Sequence, residues 1–194
     1  MSFDSLQPGD ILEIIRMGHP VLREVALPVS SSDLGTPAFR KFGQALIETM
    51  FHAQGVGLAA PQVAEGLRCF AYYVPGEDED GSTDMSPKVL VNPEIKPVND
   101  IVQIGFEGCL SIPAIRGEVP RHHAIEVSAL DIDGNPLNFV AEGFHATVIQ
   151  HEYDHLDGIL FLDRMESMES LSFEREWIQY QLGVDPSEFE DDSE

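Results

Sequence analysis

The stretch EGFHATVIQHEYDHLDG, residues 142–158, decides how this chain is read. It predicts a helix from about residue 142 to 157 that closes at Gly158, where a left-handed cap favours glycine. At about 100° per residue, the step from His151 to His155 turns about 400°, so both imidazoles leave one face a turn apart and can grip a single cation. Glu152 lies about 100° further round, outside the direct ligand pair yet close enough to exchange a proton with a metal-polarised water. The competing reading is a solvated helix face whose two histidines bond to carboxylates, and bare motifs of this length do arise that way.

Working outward, Asp133-Gly134-Asn135-Pro136 is a turn cluster between apolar runs at 125–131 and 137–141, so a hairpin leads into the helix. Farther back, short apolar or alternating runs broken by Gly, Pro and Asn predict strands over 68–74, 89–92, 98–105 and 124–131. An earlier helix starts at Thr36, a capping residue followed by Pro37. It carries Phe39, Phe42, Leu46, Met50 and Ala53 at helical spacing up to Gly55. Near the other end, Met168, Leu171, Ile178 and Leu182 fall close to one helical face with Trp177 adjacent, which predicts a helix over 168–182. No internal repeat is visible, and a chain of 194 residues is expected to form a single domain from 1 to 194.

Composition narrows the partners. Eleven basic residues, only three of them lysines (Lys41, Lys88 and Lys96), stand against 34 acidic ones, giving a net charge of -23. Such a field repels phosphate backbones and anionic lipids, so neither direct nucleic-acid binding nor membrane binding is expected. A solubilising surface is the first reading of this charge and an acidic docking face the second. Part of it is concentrated in an acidic loop at about 76–87 and an acidic tail at about 188–194, both expected to be solvated. Hydrophobic residues make up 43% of the chain, and no apolar run approaches the roughly 20 residues a membrane span needs. With no signal-peptide pattern at the start, a cytoplasmic location is expected.

The two cysteines, Cys69 and Cys109, are too few for a disulfide framework and fit a reducing compartment. Cys69 lies in the apolar run 67–74 and reads as buried strand filling. Cys109 follows Gly108, and a glycine neighbour lets the backbone approach another group closely. A catalytic zinc-type site needs three protein ligands and one open position. An astacin-like third histidine is ruled out because its place is taken by Phe161. A thermolysin-like downstream glutamate could be Glu174 or Glu176, which would make the protein a zinc endopeptidase. Cys109 is the better candidate, because a thiolate beside a dication is strongly favoured. A metal-free cysteine hydrolase pairing Cys109 with His151, and a metal-binding module without catalysis, remain open at this point.

Three ordered motifs then carry a family resemblance: GVGLAAPQ at residues 55–62, EGCLS at 107–111 and QHEYDH at 150–155. Together they resemble the signature of peptide deformylases, and the likeness runs from Ile15 to Arg164. The resemblance implies an α+β fold, a compact domain in which small mixed or antiparallel sheets surround a central metal-bearing helix. It implies that Cys109, His151 and His155 bind one divalent metal, iron(II) in the cell, with zinc, nickel or cobalt possible in purified protein. Glu152 would be the general acid and base, and the Gln62 side-chain amide with the Leu110 backbone N–H would hold the oxyanion. Such neutral donors are what a developing negative charge requires. Gly55, Val56 and Gly57 would pair with an extended peptide, although a helix stop and a turn would also place glycines there. Glu107 would support a ligating imidazole at the substrate site, Arg116 would hold the substrate's downstream part, Thr147 and Val148 would line the methionine pocket, and Arg121 would be structural. The expected partners are N-formylmethionyl nascent peptides, with transient ribosome association possible, though not through the acidic tail.

Overall fold

The computed structural model of the chain describes residues 3–76 and 85–185. The acidic residues 77–80 and the tail 188–194 lie outside the described residues. Helix α1 (Pro37–His52) starts where Thr36 and Pro37 place it, with the Thr36 hydroxyl accepting from the Phe39 N–H at 3.3 Å. Strands β1 (Gly57–Ala59), β2 (Cys69–Val74) and β3 (Met85–Pro97) follow, then β4 (Val102–Cys109) and β5 (Ile112–His122). The expected hairpin is β6 (Ala124–Leu130) with β7 (Pro136–Glu142), and it leads directly into α2 (Gly143–Leu156). Gly158 closes that helix at φ 71°, with its N–H donating to the His155 carbonyl at 3.3 Å. Its Cα position lies so close to the Arg23 backbone that an added Cβ would come within 2.7 Å of the Arg23 carbonyl carbon, so both space and conformation demand glycine there.

Two antiparallel sheets result, one ordered β1-β2-β3-β6-β7 and one ordered β4-β5-β8, where β8 is Ser172–Phe173. The five-stranded sheet is covered on both faces, and β2 shows how. Cys69 and Ala71 pack in the cluster that holds Phe39, Phe42, Leu46 and Met50 of α1. Phe70 and Tyr72 pack in the cluster that holds Ala146, Ile149 and Leu156 of α2. Alternate side chains point to opposite faces, so a strand buried on both sides must be apolar throughout rather than alternating. The α1 anchors are at most 2% exposed, each contributing about 1.5–3 kcal/mol of burial. Helix α2 also touches β5, and so it lies between the two sheets. A third cluster, Leu22, Ile112, Val119, Leu160 and Phe161, fills the space under β5. Among the described residues, no helix is long and apolar enough to cross a membrane.

The structure departs from the sequence reading in several places. Strand β5 was not predicted, because Pro113, Gly117 and Pro120 interrupt its pattern, yet pairing with β4 along 112–122 overrides that local preference. Strand β4 starts at Val102 rather than at 98, because Asn99 Oδ1 accepts from the Ile101 N–H at 3.0 Å and turns the chain first. Strand β3 continues past Asn92 to Pro97 through a bulge between Val91 and Glu94. The expected helix over 168–182 forms only from Glu174 onward, as helix α3 (Glu174–Trp177) continued by a wider π-helical turn, Ile178–Leu182, while Ser172–Phe173 before it is strand β8. There the edge of β5 captures Ser172 and Phe173 by backbone pairing.

Asn92 has left-handed backbone (φ 49°), and its side-chain amide accepts from the Val29 N–H at 2.8 Å and donates to the Val29 carbonyl at 2.9 Å. It therefore ties the N-terminal arm to the bulge as a strand would. Asn92→Ala removes both bonds and strains the backbone, and is expected to cost about 2–3 kcal/mol and lower the melting temperature by about 5–10 °C. A calorimetric scan showing an unchanged midpoint would contradict this role.

Candidate metal centre and active-site cleft

The last turns of α2 and the end of β4 meet. His151 and His155 stand with ring centroids 5.1 Å apart, and Cys109 Sγ lies 3.4 Å from His155 Nε2. One donor atom from each of these three residues falls within 4.8 Å of the others, and among the described residues this is the one such group that could hold a metal ion. Soft thiolate and borderline imidazole donors suit a late first-row dication. Neither Glu174 nor Glu176 joins the group, and the Glu174 carboxylate is bonded to Arg116 instead.

Buried charges orient the ligands. Glu107 Oε2 accepts from His151 Nδ1 at 2.8 Å, which leaves Nε2 with its lone pair for a cation. Arg121, 5% exposed, donates to Glu107 at 2.8 and 3.0 Å and to Asp154 at 2.6 Å. Arg164 closes the chain on Asp154 at 2.7 and 3.1 Å. Burial alone would raise the Glu107 pKa, but the bonds from Arg121 and His151 outweigh it and hold the carboxyl at about 2. Burial also opposes charge on His151, yet Cys109 and Glu107 push its pKa well up; burial, with His151 and Arg121 nearby, pushes that of His155 well down. Anions that draw a proton to His151 draw a metal cation to the same place.

Glu152 projects beside this group and is 4% exposed, with Oε2 buried and no hydrogen-bond partner among the described residues. Burial raises its pKa to about 7. Its carboxylate rests against Gly57, where an added Cβ would lie 2.6 Å from Glu152 Cδ, so this position has no room for a side chain. Gln62 is 1% exposed, and its orientation is set by the Ala59 N–H, which donates to Oε1 at 2.8 Å. The Nε2 end is thereby turned toward the metal group, 3.3 Å from Ser111 Oγ and 3.5 Å from Cys109 Sγ.

A cleft of about 900 Å³ opens over these residues. Gly55, Val56, Gly57, Glu107, Leu110, Arg116, Thr147 and Val148 all line it, so it gathers the expected substrate residues with the metal group. Thr147 is polar for a reason: its hydroxyl accepts from Gln103 Nε2 at 2.8 Å. Sequence reasoning missed Ser111, Arg16 and Phe144. Ser111 is fully buried under Gln62, Arg16 donates to the Leu110 carbonyl, and Phe144 lines the cleft while 53% exposed. Ser111 lies within the EGCLS motif, but nothing in a sequence marks a serine as buried.

The comparisons with known proteins agree with this geometry. A family profile described as polypeptide deformylase matches residues 11–171. The chain belongs to this family. It is 43% identical over 165 residues to peptide deformylase 1 of Xanthomonas campestris pv. campestris, covering 84% of this chain and 95% of that one. It is 42% identical to peptide deformylase 1 of Bordetella pertussis, covering 82% and 90%. Among solved structures, the class I type b peptide deformylase from Acinetobacter baumannii bound to Met-Ala-Ser superposes with a TM-score of 0.75. It is 36% identical, and the match covers 81% of this chain and 99% of that one. The peptide deformylase of Thermotoga maritima matches with a TM-score of 0.73 at 37% identity, again over 81% and 99%. The α+β fold of this deformylase is thus that of its family, and a zinc endopeptidase with a glutamate ligand finds no support in the metal group.

Arg121 is the tie between Glu107 and Asp154, and its loss would leave two buried carboxylates without the guanidinium they share, with only His151 and Arg164 left to them. Arg121→Met is expected to destabilise the metal-stripped protein by about 3–5 kcal/mol, measured as a shift in its urea unfolding midpoint. A loss below about 1 kcal/mol would mean that these charges are solvated rather than mutually bound.

Proposed function

We infer that the chain is a metal-dependent hydrolase: it removes the formyl group from the N-terminal methionine of newly made polypeptides and releases formate. The observation that carries this is the meeting of Cys109, His151 and His155 beside the buried Glu152, whose Oε2 has no partner among the described residues, in a peptide-sized cleft. Cys109, His151 and His155 would hold the dication, which supplies Lewis acidity and lowers the pKa of water to near neutrality.

Each other step belongs to the chain's own side chains. Gly55, Val56 and Gly57 leave the β1 edge open for the backbone of an extended formyl peptide. Thr147 and Val148 receive the methionine side chain, and the following residues run toward Arg116. Glu152 takes a proton from the attacking water as its oxygen adds to the formyl carbon. The oxyanion then accepts hydrogen bonds from Gln62 Nε2 and the Leu110 N–H. When the C–N bond breaks, Glu152 returns its proton to the departing nitrogen, leaving formate and a free α-amine. Glu107 keeps His151 in the tautomer that offers Nε2, and Arg121 keeps Glu107 in place. Iron(II) is the metal in the cell, and zinc, nickel or cobalt can take its place in purified protein. The enzyme works as one domain in the cytoplasm on emerging chains. Its net charge of -23 disfavours direct contact with ribosomal RNA, so any ribosome association is transient and made through protein.

Anaerobically purified protein loaded with iron(II) is expected to release formate from formyl-Met-Ala-Ser, and Glu152→Ala is expected to abolish release while retaining its metal. No release by a fully loaded wild type would overturn the assignment. Gln62→Ala, folded and metallated, is expected to lose about 10²- to 10³-fold in kcat. Turnover like the wild type in that variant would remove Gln62 from the oxyanion site.

A further inference from the structure

The family match ends at residue 171, yet the stretch that follows is built into the cleft wall. Ser172 and Phe173 pair with Arg116 and Ile115, adding a third strand to the sheet that carries Cys109. The strand runs directly into α3, whose first residue, Glu174, lines the cleft. Glu174 Oε1 accepts from Arg116 Nε at 2.9 Å and also from the Nη2 of the same guanidinium. Trp177 holds the guanidinium from another side, with its ring centroid 5.6 Å from Cζ, and tilts against Phe106 of β4. The guanidinium itself lies over Gly108, where an added Cβ would come within 2.8 Å of Arg116 Cζ, one residue from Cys109.

An unpaired arginine at that place would offer a planar, permanent positive fork to any carboxylate in a bound peptide. With Glu174 on it, the local charge sums to zero, and an incoming carboxylate meets another already holding the fork. Both bonds fall on Oε1, so Oε2 takes part in neither and can accept from a cation. The two side chains are 34% and 37% exposed, which makes the pair reachable by substrate.

We propose that Glu174 is a specificity-determining residue: by occupying Arg116 within the cleft, it makes the enzyme favour formyl-methionyl chains with lysine or arginine shortly after the methionine over chains with aspartate or glutamate there. This rests on the deformylase reading above. The net charge of -23 favours cationic chains at longer range, but removing one charge from that total barely alters it, so a variant of Glu174 isolates the local effect.

The test compares kcat/KM of the iron(II)-loaded full chain on formyl-Met-Xaa-Ala-amide and formyl-Met-Ala-Xaa-amide, with Xaa as Lys, Ala or Glu. The amide removes the terminal carboxylate. The wild type is expected to prefer Lys to Glu in at least one position. Glu174→Gln is expected to lower that Lys/Glu ratio about tenfold, mostly through KM, because the contact is made equally in ground and transition states. Arg116→Gln, which leaves Glu174 as an uncompensated charge, is expected to raise the ratio instead. Opposite movements identify charge selection, whereas damage to the packing of the segment would move both variants the same way and overturn the proposal. A ratio unchanged by Glu174→Gln in both positions also overturns it. Failure of the loaded wild type to release formate from the neutral alanine peptide would sink the deformylase reading and this inference together, whereas turnover with an unchanged ratio sinks the inference alone.

Discussion

The buried guanidinium of Arg121 is the point at which the three-stranded sheet, the helix α2 and the chemistry are joined. It extends from β5, binds Glu107 on β4 and Asp154 on α2, and is 5% exposed. Isolated, each of these charges would be costly to bury, but together with Arg164 and His151 they satisfy one another's lone pairs and protons. One consequence is mechanical, since the three-stranded sheet cannot slide along α2 without breaking the cluster. The other is chemical, since the carboxylate that Arg121 positions is the one that fixes the His151 ring.

Helix α2 can carry such a cluster because its other side is firmly seated. Ala146, Ile149 and Leu156 share a core with Phe70, Tyr72 and Leu90, while α1 closes the opposite face of the same sheet. Burial on both faces sets the height of α2 relative to β1, and so brings Glu152 against Gly57 with no space for a side chain between them. The same closeness desolvates Glu152 and raises its pKa to about 7. Packing and proton chemistry are here one effect: the contact that excludes water also makes the proton easier to hold.

The cleft wall has two origins. Strands β1 and β4 and the start of α2 fall inside the stretch matched by the family, whereas Glu174, and Trp177 that packs on Arg116 behind it, come from the segment after it. That segment has little core of its own, and its place is set by the pairing of Ser172 and Phe173 with β5 and by the grip on Arg116. Edge pairing of this kind costs few residues and lets a short extension alter the electrostatics of a site without disturbing the metal group.

Much of this was legible in the chain itself. The His151 to His155 spacing follows from helix geometry, the Thr36-Pro37 start and the Gly158 stop follow from backbone preferences, and the Asp133 to Pro136 turn follows from turn chemistry. These are local rules, so the local sequence determined them. Thiolate chemistry made Cys109 the better companion of the two histidines, and the resemblance of three separated motifs implied the same. Only the tertiary structure decided that β5 is a strand despite Pro113, Gly117 and Pro120, that residues 172–173 pair rather than coil, that Gln62 turns its amide nitrogen inward because the Ala59 N–H takes its oxygen, and that Glu174 meets Arg116. Each of these depends on a partner far away in sequence, or on burial that no single residue announces. Non-local pairing and desolvation are properties of the assembled chain, and a pattern along the sequence records them only where periodicity happens to reflect them.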